Sequence, residues 1–164
     1  MIKGGELDYG AFYNCTTLTY INISDSMTTW IDDYAFAGCT SLVIIEVDEN
    51  NKNYKSIDGN LYSKNGASLL RYAIGKKDVS FTIPDHVTRI YKLAFGDCTS
   101  LISVVIPTSV KTIDMWAFGN CTSLTNIYFE GTVEQWEAVD KDYGWDQNTP
   151  AKEVICSNGT VSLK

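Results

Sequence analysis

Short segments in which apolar and polar residues alternate recur along the chain. Five of them have the form apolar-x-apolar, and they stand at Ile21/Ile23, Ile45/Val47, Phe81/Ile83, Val104/Ile106 and Ile127/Phe129. Their first residues are 24, 36, 23 and 23 positions apart. An alternation with a period of two is typical of a strand that buries one face. The pattern therefore predicts a series of short strands, one per repeat, with one enlarged repeat.

A block of eight residues precedes four of these segments. Its consensus is Ala-Phe-x-x-Cys-Thr-x-Leu, and it occupies residues 11–18, 35–42, 94–101 and 117–124. Because the Ala-Phe-x-x-Cys part has room for only one turn, we expect a helical or 3₁₀ turn with Phe and Cys pointing inward. Two of the strands are followed by a proline turn and then by apolar residues that return to the core: Val87/Ile90 after Pro84, and Val110/Ile113 after Pro107.

The length of the repeat decides the fold class. A unit of about 23 residues is too small to bury its own apolar face, so neighbouring units must stack. Each predicted strand then adds to a parallel sheet. The sequence therefore predicts a repeat solenoid, with short parallel strands and helical or 3₁₀ turns in every unit.

The full repeat resembles a known family. The pattern Leu-x-x-Ile-x-Ile-Pro-x-x-Val-x-x-Ile-x-x-x-Ala-Phe-x-x-Cys is similar to the BspA-type leucine-rich repeat of bacterial and some protist surface proteins, and it covers Leu7 to Phe129. The resemblance implies a non-enzymatic binding module of a cell-surface or secreted protein, with a role in adhesion or host interaction. Its partner would be a protein or glycan, such as host extracellular matrix. The alternative is a spacer or stalk of a larger surface protein without its own ligand.

The enlarged repeat spans about residues 48–80. Residues 54–72 resemble the usual insertion of this family, and they contain the turn dipeptides Asp58-Gly59 and Asn65-Gly66 between alternating apolar residues. Such dipeptides favour tight turns between antiparallel strands. We therefore expect a small β-hairpin that protrudes from the solenoid.

The repeat pattern ends after Phe129. Thr132, followed by Val-Glu-Gln-Trp-Glu-Ala-Val, predicts a capped amphipathic helix with Trp136 and Val139 facing the last repeat. Residues 154–156 and 160–163, joined through Ser-Asn-Gly, predict a final hairpin. Helix and hairpin together would cover the open apolar end of the stack.

These features suggest one domain over residues 1–164, with repeats at 1–129 and a C-terminal cap at 130–164. At the other end, Leu7 aligns with Ile31, Ile90 and Ile113, so the chain enters in mid-repeat. We interpret this start as a piece of a longer protein, or as a lineage that has lost its first repeats.

The amino-acid composition disfavours several classes of partner and activity. Thirteen Lys and Arg against twenty Asp and Glu give a net charge of −7, which argues against nucleic acid and anionic lipid as partners. No apolar run approaches the about 18 residues of a membrane span, and the first residues have no apolar signal core. One His and ten Tyr favour binding over acid–base catalysis.

No catalytic residues, metal or cofactor are predicted. Cys15, Cys39, Cys98 and Cys121 share one repeat position without any Cys-x-x-Cys pair, so we interpret them as packing thiols, with disulfides between neighbouring repeats as the alternative. Cys156 is interpreted as a further packing thiol. The remaining candidates are a lone surface His86, solvated carboxylate pairs at Asp32-Asp33, Asp48-Glu49 and Asp140/Asp142, and residues 48–53, which lack the order of a calcium loop.

The outward face of the predicted strands is the candidate binding surface. Period two turns ten side chains away from the core, and we call them the sheet-face strip: Tyr20, Asn22, Ile44, Glu46, Ser80, Thr82, Ser103, Val105, Asn126 and Tyr128. Its tyrosines offer rigid contact area at low entropic cost, which suits a protein or glycan ligand. We expect one contiguous strip. The alternative is that a solenoid exposes such residues without binding anything.

Overall fold

Residues 7–27 and 30–163 are described in the computed structural model, and they wind into a solenoid of short strands. We call one turn of the solenoid a rung. The elements are β1 (Tyr20–Ile23), β2 (Ile44–Val47), β3 (Tyr54–Ile57), β4 (Asn60–Ser63), β5 (Ser68–Arg71), β6 (Ser80–Thr82), β7 (Arg89–Ile90), β8 (Ser103–Ile106), β9 (Thr112–Ile113), β10 (Asn126–Phe129), α1 (Val133–Glu137), β11 (Asp140–Lys141), β12 (Glu153–Cys156) and β13 (Gly159–Ser162).

The strands predicted from the period-two pattern are confirmed. β6, β8, β10 and β12 pair in parallel, and β13 adds to β12 in the antiparallel direction. β1 and β2 pair in parallel as a separate two-stranded sheet. In each parallel pair, residues at equivalent repeat positions are partners, as Val104 and Ile127 are. This register keeps the apolar positions on one inner face.

A six-stranded sheet was not predicted from the sequence. It has the strand order β11-β9-β7-β5-β4-β3, with β5, β7, β9 and β11 parallel and β3, β4 and β5 antiparallel. Its two-residue strands contain Ile90 and Ile113, which the sequence pattern assigned to the core and which are fully buried. The proline turns lead the chain from the five-stranded sheet to the six-stranded sheet.

The Ala-Phe-x-x-Cys block forms single 3₁₀-type turns, which is one of the two expected forms. The amides of Ala94 and Cys98 bond within their own rung, whereas the Phe95 amide donates to the carbonyl of Ala117 in the next rung at 2.7 Å. The residue before Cys has a left-handed backbone, with φ of 61° at Asn14 and 59° at Asn120. A right-handed helix cannot pass through this conformation.

The core is divided into two clusters of buried side chains. The first core contains residues between Leu7 and Ala73, and the second core contains residues between Tyr62 and Cys156. In the second core, Phe95 and Phe118 stack with their ring centroids 4.7 Å apart. Such a stack repeats one side chain along the solenoid, because equivalent positions of parallel rungs lie above one another.

The inserted hairpin separates the two cores. β3, β4 and β5 form the predicted antiparallel elaboration, with turns at the two predicted dipeptides. Asp58 and Gly59 have φ of 50° and 73°, which explains the Asp-Gly pair at this turn. Asn51 fastens the start of the insertion, since its buried side-chain amide donates to the carbonyls of Ser24 and Met27 at 2.8 and 2.9 Å.

The tail forms the predicted helix and hairpin. Thr132 and Gln135 make a reciprocal capping box at the start of α1, and Trp136 is buried against Phe129. The tail also extends both sheets, because β11 pairs with β9 and β12 pairs with β10. The division into repeats at 1–129 and a cap at 130–164 stays a prediction.

Candidate functional site: the sheet-face strip

The first part of the strip lies on β1 and β2. Parallel pairing places Tyr20 beside Ile44 and Asn22 beside Glu46. The Tyr20 hydroxyl donates to Oε2 of Glu46, and Nδ2 of Asn22 donates to the same oxygen at 3.1 Å. Two donors on one strand therefore fix a carboxylate on the next, which gives this part of the surface a defined arrangement of polar groups.

These hydrogen bonds shift two pKa values in opposite directions. The bonds from Tyr20 and Asn22 lower the pKa of Glu46, because both donors favour its ionised form. The bond to Glu46 raises the pKa of Tyr20, because ionisation of the phenol would break it. At neutral pH this part of the strip presents a carboxylate and a neutral phenol.

The second part of the strip lies on the five-stranded sheet. Two rows of partners cross it: Ser80, Ser103 and Asn126 in one, and Thr82, Val105 and Tyr128 in the other. Tyr128 is 39% exposed, against 46% for Tyr20 and 41% for Ile44. Most side chains in these rows are short, so Tyr128 stands as the main contact group of this part.

The strip is not contiguous, contrary to the prediction. The tip of the hairpin lies beside β2, where the amide of Ile45 donates to the carbonyl of Gly59 at 2.8 Å. Ser56 Oγ donates to the carbonyl of Ile45 at 2.6 Å. The insertion thus occupies the edge of β2 that the next parallel strand would need, and it divides the strip between two sheets.

One further residue extends the strip on the five-stranded sheet. Ile155 on β12 is the parallel partner of Tyr128. The sequence offered a signal, since Val154 and Cys156 alternate with Ile155 as the repeat strands do. The Ser-Asn-Gly turn that follows makes the segment typical of a terminal hairpin, and this pattern does not indicate the position of Ile155 beside Tyr128.

The cysteines are packing groups. The structure has all five as free thiols, with Cys39, Cys98 and Cys121 buried at the shared repeat position. Cys39 Sγ donates to the carbonyl of Phe12 in the preceding rung at 3.0 Å, and Cys121 Sγ donates to that of Phe95 at 3.2 Å. Burial raises the pKa of the Cys98 thiol, which disfavours a reactive thiolate.

The remaining polar candidates are engaged locally. The ring of His86 lies 6.2 Å from that of Tyr62, and Asp48 accepts the amide of Asn50 at 2.9 Å in a turn. Among the described residues, no group of three or more His, Cys, Asp and Glu side chains is arranged to hold a metal ion. Within the same residues, no helix is long and apolar enough to cross a bilayer.

Comparison with protein families identifies the repeat. Residues 72–139 match the family model of the BspA type leucine rich repeat region (6 copies). Residues 72–139 consist of BspA-type leucine-rich repeats. The matched region contains β6 to β10 and the buried Phe95 and Phe118, so the family assignment and the observed rungs coincide. Repeats of this family are generally non-enzymatic scaffolds.

Three solved structures share the architecture. The pneumococcal vaccine antigen PcpA is 20% identical with a TM-score of 0.64 over 85% of this chain and 39% of PcpA, which shows the fold alone. A leucine-rich repeat protein from Eubacterium ventriosum is 28% identical with a TM-score of 0.57 over 70% of this chain and 37% of its own. A leucine rich cell surface protein from Faecalibacterium prausnitzii is 27% identical with a TM-score of 0.50, over 75% and 51%.

This chain therefore spans well under two thirds of the length of each of these structures. No curated protein sequence matches it. Family and neighbours together describe a repeat module of the kind found in bacterial surface proteins.

Proposed function

We propose that the chain is a non-enzymatic module of a bacterial cell-surface or secreted protein, and that it binds a protein or glycan through the sheet-face strip. The observation that carries the proposal is the ordered group on β1 and β2, where Tyr20 and Asn22 both donate to Glu46. A fixed carboxylate between an aromatic ring and an amide offers both hydrogen bonds and apolar contact. Ligands with hydroxyl or amide donors meet these requirements.

The second part of the strip supports the proposal with a different chemistry. Tyr128 projects from a row of small side chains, next to Val105 and Ile155. An exposed tyrosine beside aliphatic groups is typical of contact surfaces. Because the hairpin divides the strip, we expect each part to contribute independently.

The proposed location rests on the neighbours. One of the similar structures is named as a cell surface protein, and the family occurs in bacterial surface proteins. A net charge of −7 disfavours a ligand that is itself strongly acidic, because like charges repel at close range. Extracellular-matrix proteins and mucin-type glycans without sialic acid or sulfate are therefore suitable first probes.

The test is binding of the purified chain to a panel of these two ligand classes. Tyr20→Ala and Tyr128→Ala are compared singly and together, with Tyr143→Ala as the matched control because Tyr143 is 89% exposed in a turn away from the strip. Each variant is first checked for an unchanged thermal unfolding transition.

We expect saturable binding that both strip variants weaken and the control does not. Loss in Tyr20→Ala alone would assign the contact to β1 and β2. Binding that survives in the double variant would overturn the assignment to the strip. No binding to any probe would favour the alternative, a spacer without its own ligand.

A further inference from the structure

Side chains at the left-handed position of the turns form a ladder along one edge of the solenoid. Asn148 Nδ2 donates to Asn120 Oδ1 at 2.9 Å, and Asn120 Nδ2 donates to Asp97 Oδ1 at 3.0 Å. The rung at residues 72–79 precedes Asp97 in the chain and has no left-handed residue. The ladder therefore ends at Asp97.

A groove lies on this edge where the ladder ends. Its volume is about 440 Å³, and it is lined by residues of the first two blocks, including Asn14 and Thr40, and of the third and fourth blocks, including Asp97 and Thr99. A cavity of about 150 Å³ holds one benzene ring, so this groove has room for a ligand of two rings. None of the described residues that line it belongs to the sheet-face strip.

The groove contains hydrogen-bonding groups that the protein does not use. Within the described residues, the Asn120 amide is the only hydrogen-bond partner of the Asp97 carboxylate, and the side-chain amide of Asn14 has none. The hydroxyls of Thr40 and Thr99 are exposed and are likewise unpaired among these residues. Donors and acceptors are therefore available to a ligand without any rearrangement of the core.

Tyr13 adds an aromatic ring to the groove. Its side chain is 61% exposed and follows one residue before Asn14. An aromatic ring offers a flat apolar face for contact. A pyranose sugar has an apolar face of C–H groups and a rim of hydroxyls, and each hydroxyl can both donate and accept. Such a ring can pack on Tyr13 while its hydroxyls reach the polar groups of the groove.

The charge of the groove favours a neutral ligand. Asp97 is the only charged side chain among the described residues that line it. An acidic ligand would be repelled by this carboxylate. Calcium is held by six to eight oxygen ligands, several of them carboxylates, and the groove has one carboxylate. A neutral ligand with many hydroxyls meets these conditions.

We propose that this groove binds a neutral disaccharide unit of a glycan. One ring would pack on Tyr13, and hydroxyls of the two rings would donate to Asp97 and exchange hydrogen bonds with Asn14 and Thr99. Each of these side chains is at least partly exposed. The groove would give the module a second contact surface, separate from the strip.

The test is an NMR titration of the full chain with neutral disaccharides. The probes are the methyl glycosides of lactose, maltose, cellobiose and N,N′-diacetylchitobiose, which have no free reducing end, as in a glycan. The reporters are the side-chain amide resonances of Asn14 and Asn120. We expect saturable shifts with at least one probe. The same disaccharide with its terminal C6 oxidised to a carboxylate should bind about threefold or more weakly, because it meets the charge of Asp97.

Asp97→Asn tests the carboxylate. Asparagine already occupies the equivalent position at Asn14, Asn120 and Asn148, with φ of 61°, 59° and 62° against 65° for Asp97, so we expect this variant to fold. It should weaken binding about tenfold, because a hydrogen bond to a charged acceptor is lost. The matched control is Asp85→Asn, which removes an exposed carboxylate outside the groove and should leave the affinity unchanged.

Thr99→Val tests a single hydroxyl. The substitution keeps the shape of the side chain, and it should weaken binding about two- to tenfold through the loss of one hydrogen bond. Thr16→Val is the matched control, since Thr16 occupies the same position of the first block, is exposed and does not line the groove. The control should bind the disaccharide as the unaltered chain does.

Several results would overturn the proposal. They are no saturable shift with any of the four probes, equal or tighter binding of the oxidised form, and affinities that Asp97→Asn and Thr99→Val leave unchanged. Equal or tighter binding of a capped Thr-Ser-Thr peptide would also overturn it, because the peptide offers hydroxyls without a sugar ring. Tyr20→Ala and Tyr128→Ala should not change the affinity for the disaccharide, so a failure at the groove is distinguishable from a failure at the strip.

Discussion

The first rung and the central rungs carry the same eight-residue block but bury it to different degrees. Phe12 and Cys15 of the first block are only half-buried, whereas Phe95 and Cys98 of the third are fully buried. Within the described residues, the ring of Phe12 stacks on that of Phe36 alone at 5.9 Å, whereas Phe95 contacts the rings of three other residues. Two copies of one consensus block therefore stabilise the fold to different degrees, according to what their neighbours cover.

This difference is expected for a solenoid. Stability is approximately a sum of one contribution from each repeat and one from each interface between neighbours. A central rung has two interfaces, and the first described rung has one. The same substitution at equivalent positions should therefore have unequal effects.

The largest effect is expected from truncating the central phenylalanine. Phe95→Ala removes a buried ring that stacks against Phe118 at 4.7 Å, and it should lower the free energy of unfolding by about 3–5 kcal/mol. The equivalent Phe12→Ala should cost about 1–2 kcal/mol, because its ring is already half in water. Urea denaturation of both variants measures the difference, and losses equal within about 0.5 kcal/mol would contradict the comparison.

The next effect concerns the junction between the two cores. A Cβ on Gly75 would lie 2.2 Å from the carbonyl carbon of Ser41, so the two backbones can approach only at glycine. Gly75→Ala should cost about 1–3 kcal/mol through overpacking. Gly159→Ala is the matched control, since its Cβ would meet Val133 at an ordinary 3.4 Å. Equal melting temperatures for the two variants would show that this contact does not hold the cores together.

High pH should weaken the second core. Burial raises the pKa of Tyr62 to about 12, and burial also raises that of Tyr72, which donates to Asp78 at 2.8 Å. The folded state thus favours the neutral phenols. Their contribution is fully present below the unfolded pKa of about 10, and it is lost as pH rises from there through the folded values.

The free energy of unfolding should therefore fall between about pH 10 and 12. Tyr62→Phe removes one titrating group and should make this fall shallower. If the wild-type chain and the variant have the same slope, ionisation of Tyr62 does not destabilise the second core.

The smallest effect is expected on the exposed β1–β2 surface. Tyr20→Phe removes one donor to Glu46, so the pKa of Glu46 should rise towards its ordinary value while unfolding stays unchanged. A carboxyl-carbon NMR titration measures this shift. Tyr128→Phe on the other sheet should leave the pKa of Glu46 unaltered, and a shift there would mean that the two parts of the strip interact.

Elements with a clear local signal were predicted from the sequence, and elements too short to show a period were missed. The period-two strands and the Phe-Cys turn recur in several copies, and this repetition identifies the residues that face the core from the sequence alone. The six-stranded sheet was missed because strands such as Arg89–Ile90 are two residues long and bury one side chain. Such a strand is too short to show an alternation of apolar and polar residues. One further turn continues the stack at Trp145, whose carbonyl accepts the amide of Phe118 at 2.8 Å. It was missed because a tryptophan occupies the position of the alanine in the block.

The candidate sites also combine features that a local sequence pattern predicts with features that it does not. Each side chain of the strip was assigned to the outer face from its own strand, and the division of the strip depends on where the hairpin tip lies against Ile45. A pocket lined by Trp30, Tyr54, Arg71 and Tyr91 likewise depends on four segments that are distant in sequence. Local patterns do not encode which segments meet, so neither feature could be predicted.

Hydrogen exchange of the backbone amides tests the unequal stability of the rungs most directly. We predict that the amides of β8 and β10, which pair within a five-stranded sheet, exchange far more slowly than those of β1, which pairs with β2 alone. The amide of Ile127 should show protection close to that of global unfolding, and the amide of Asn22 much less. Equal protection along the chain would mean that the solenoid unfolds as one unit, and it would contradict the account.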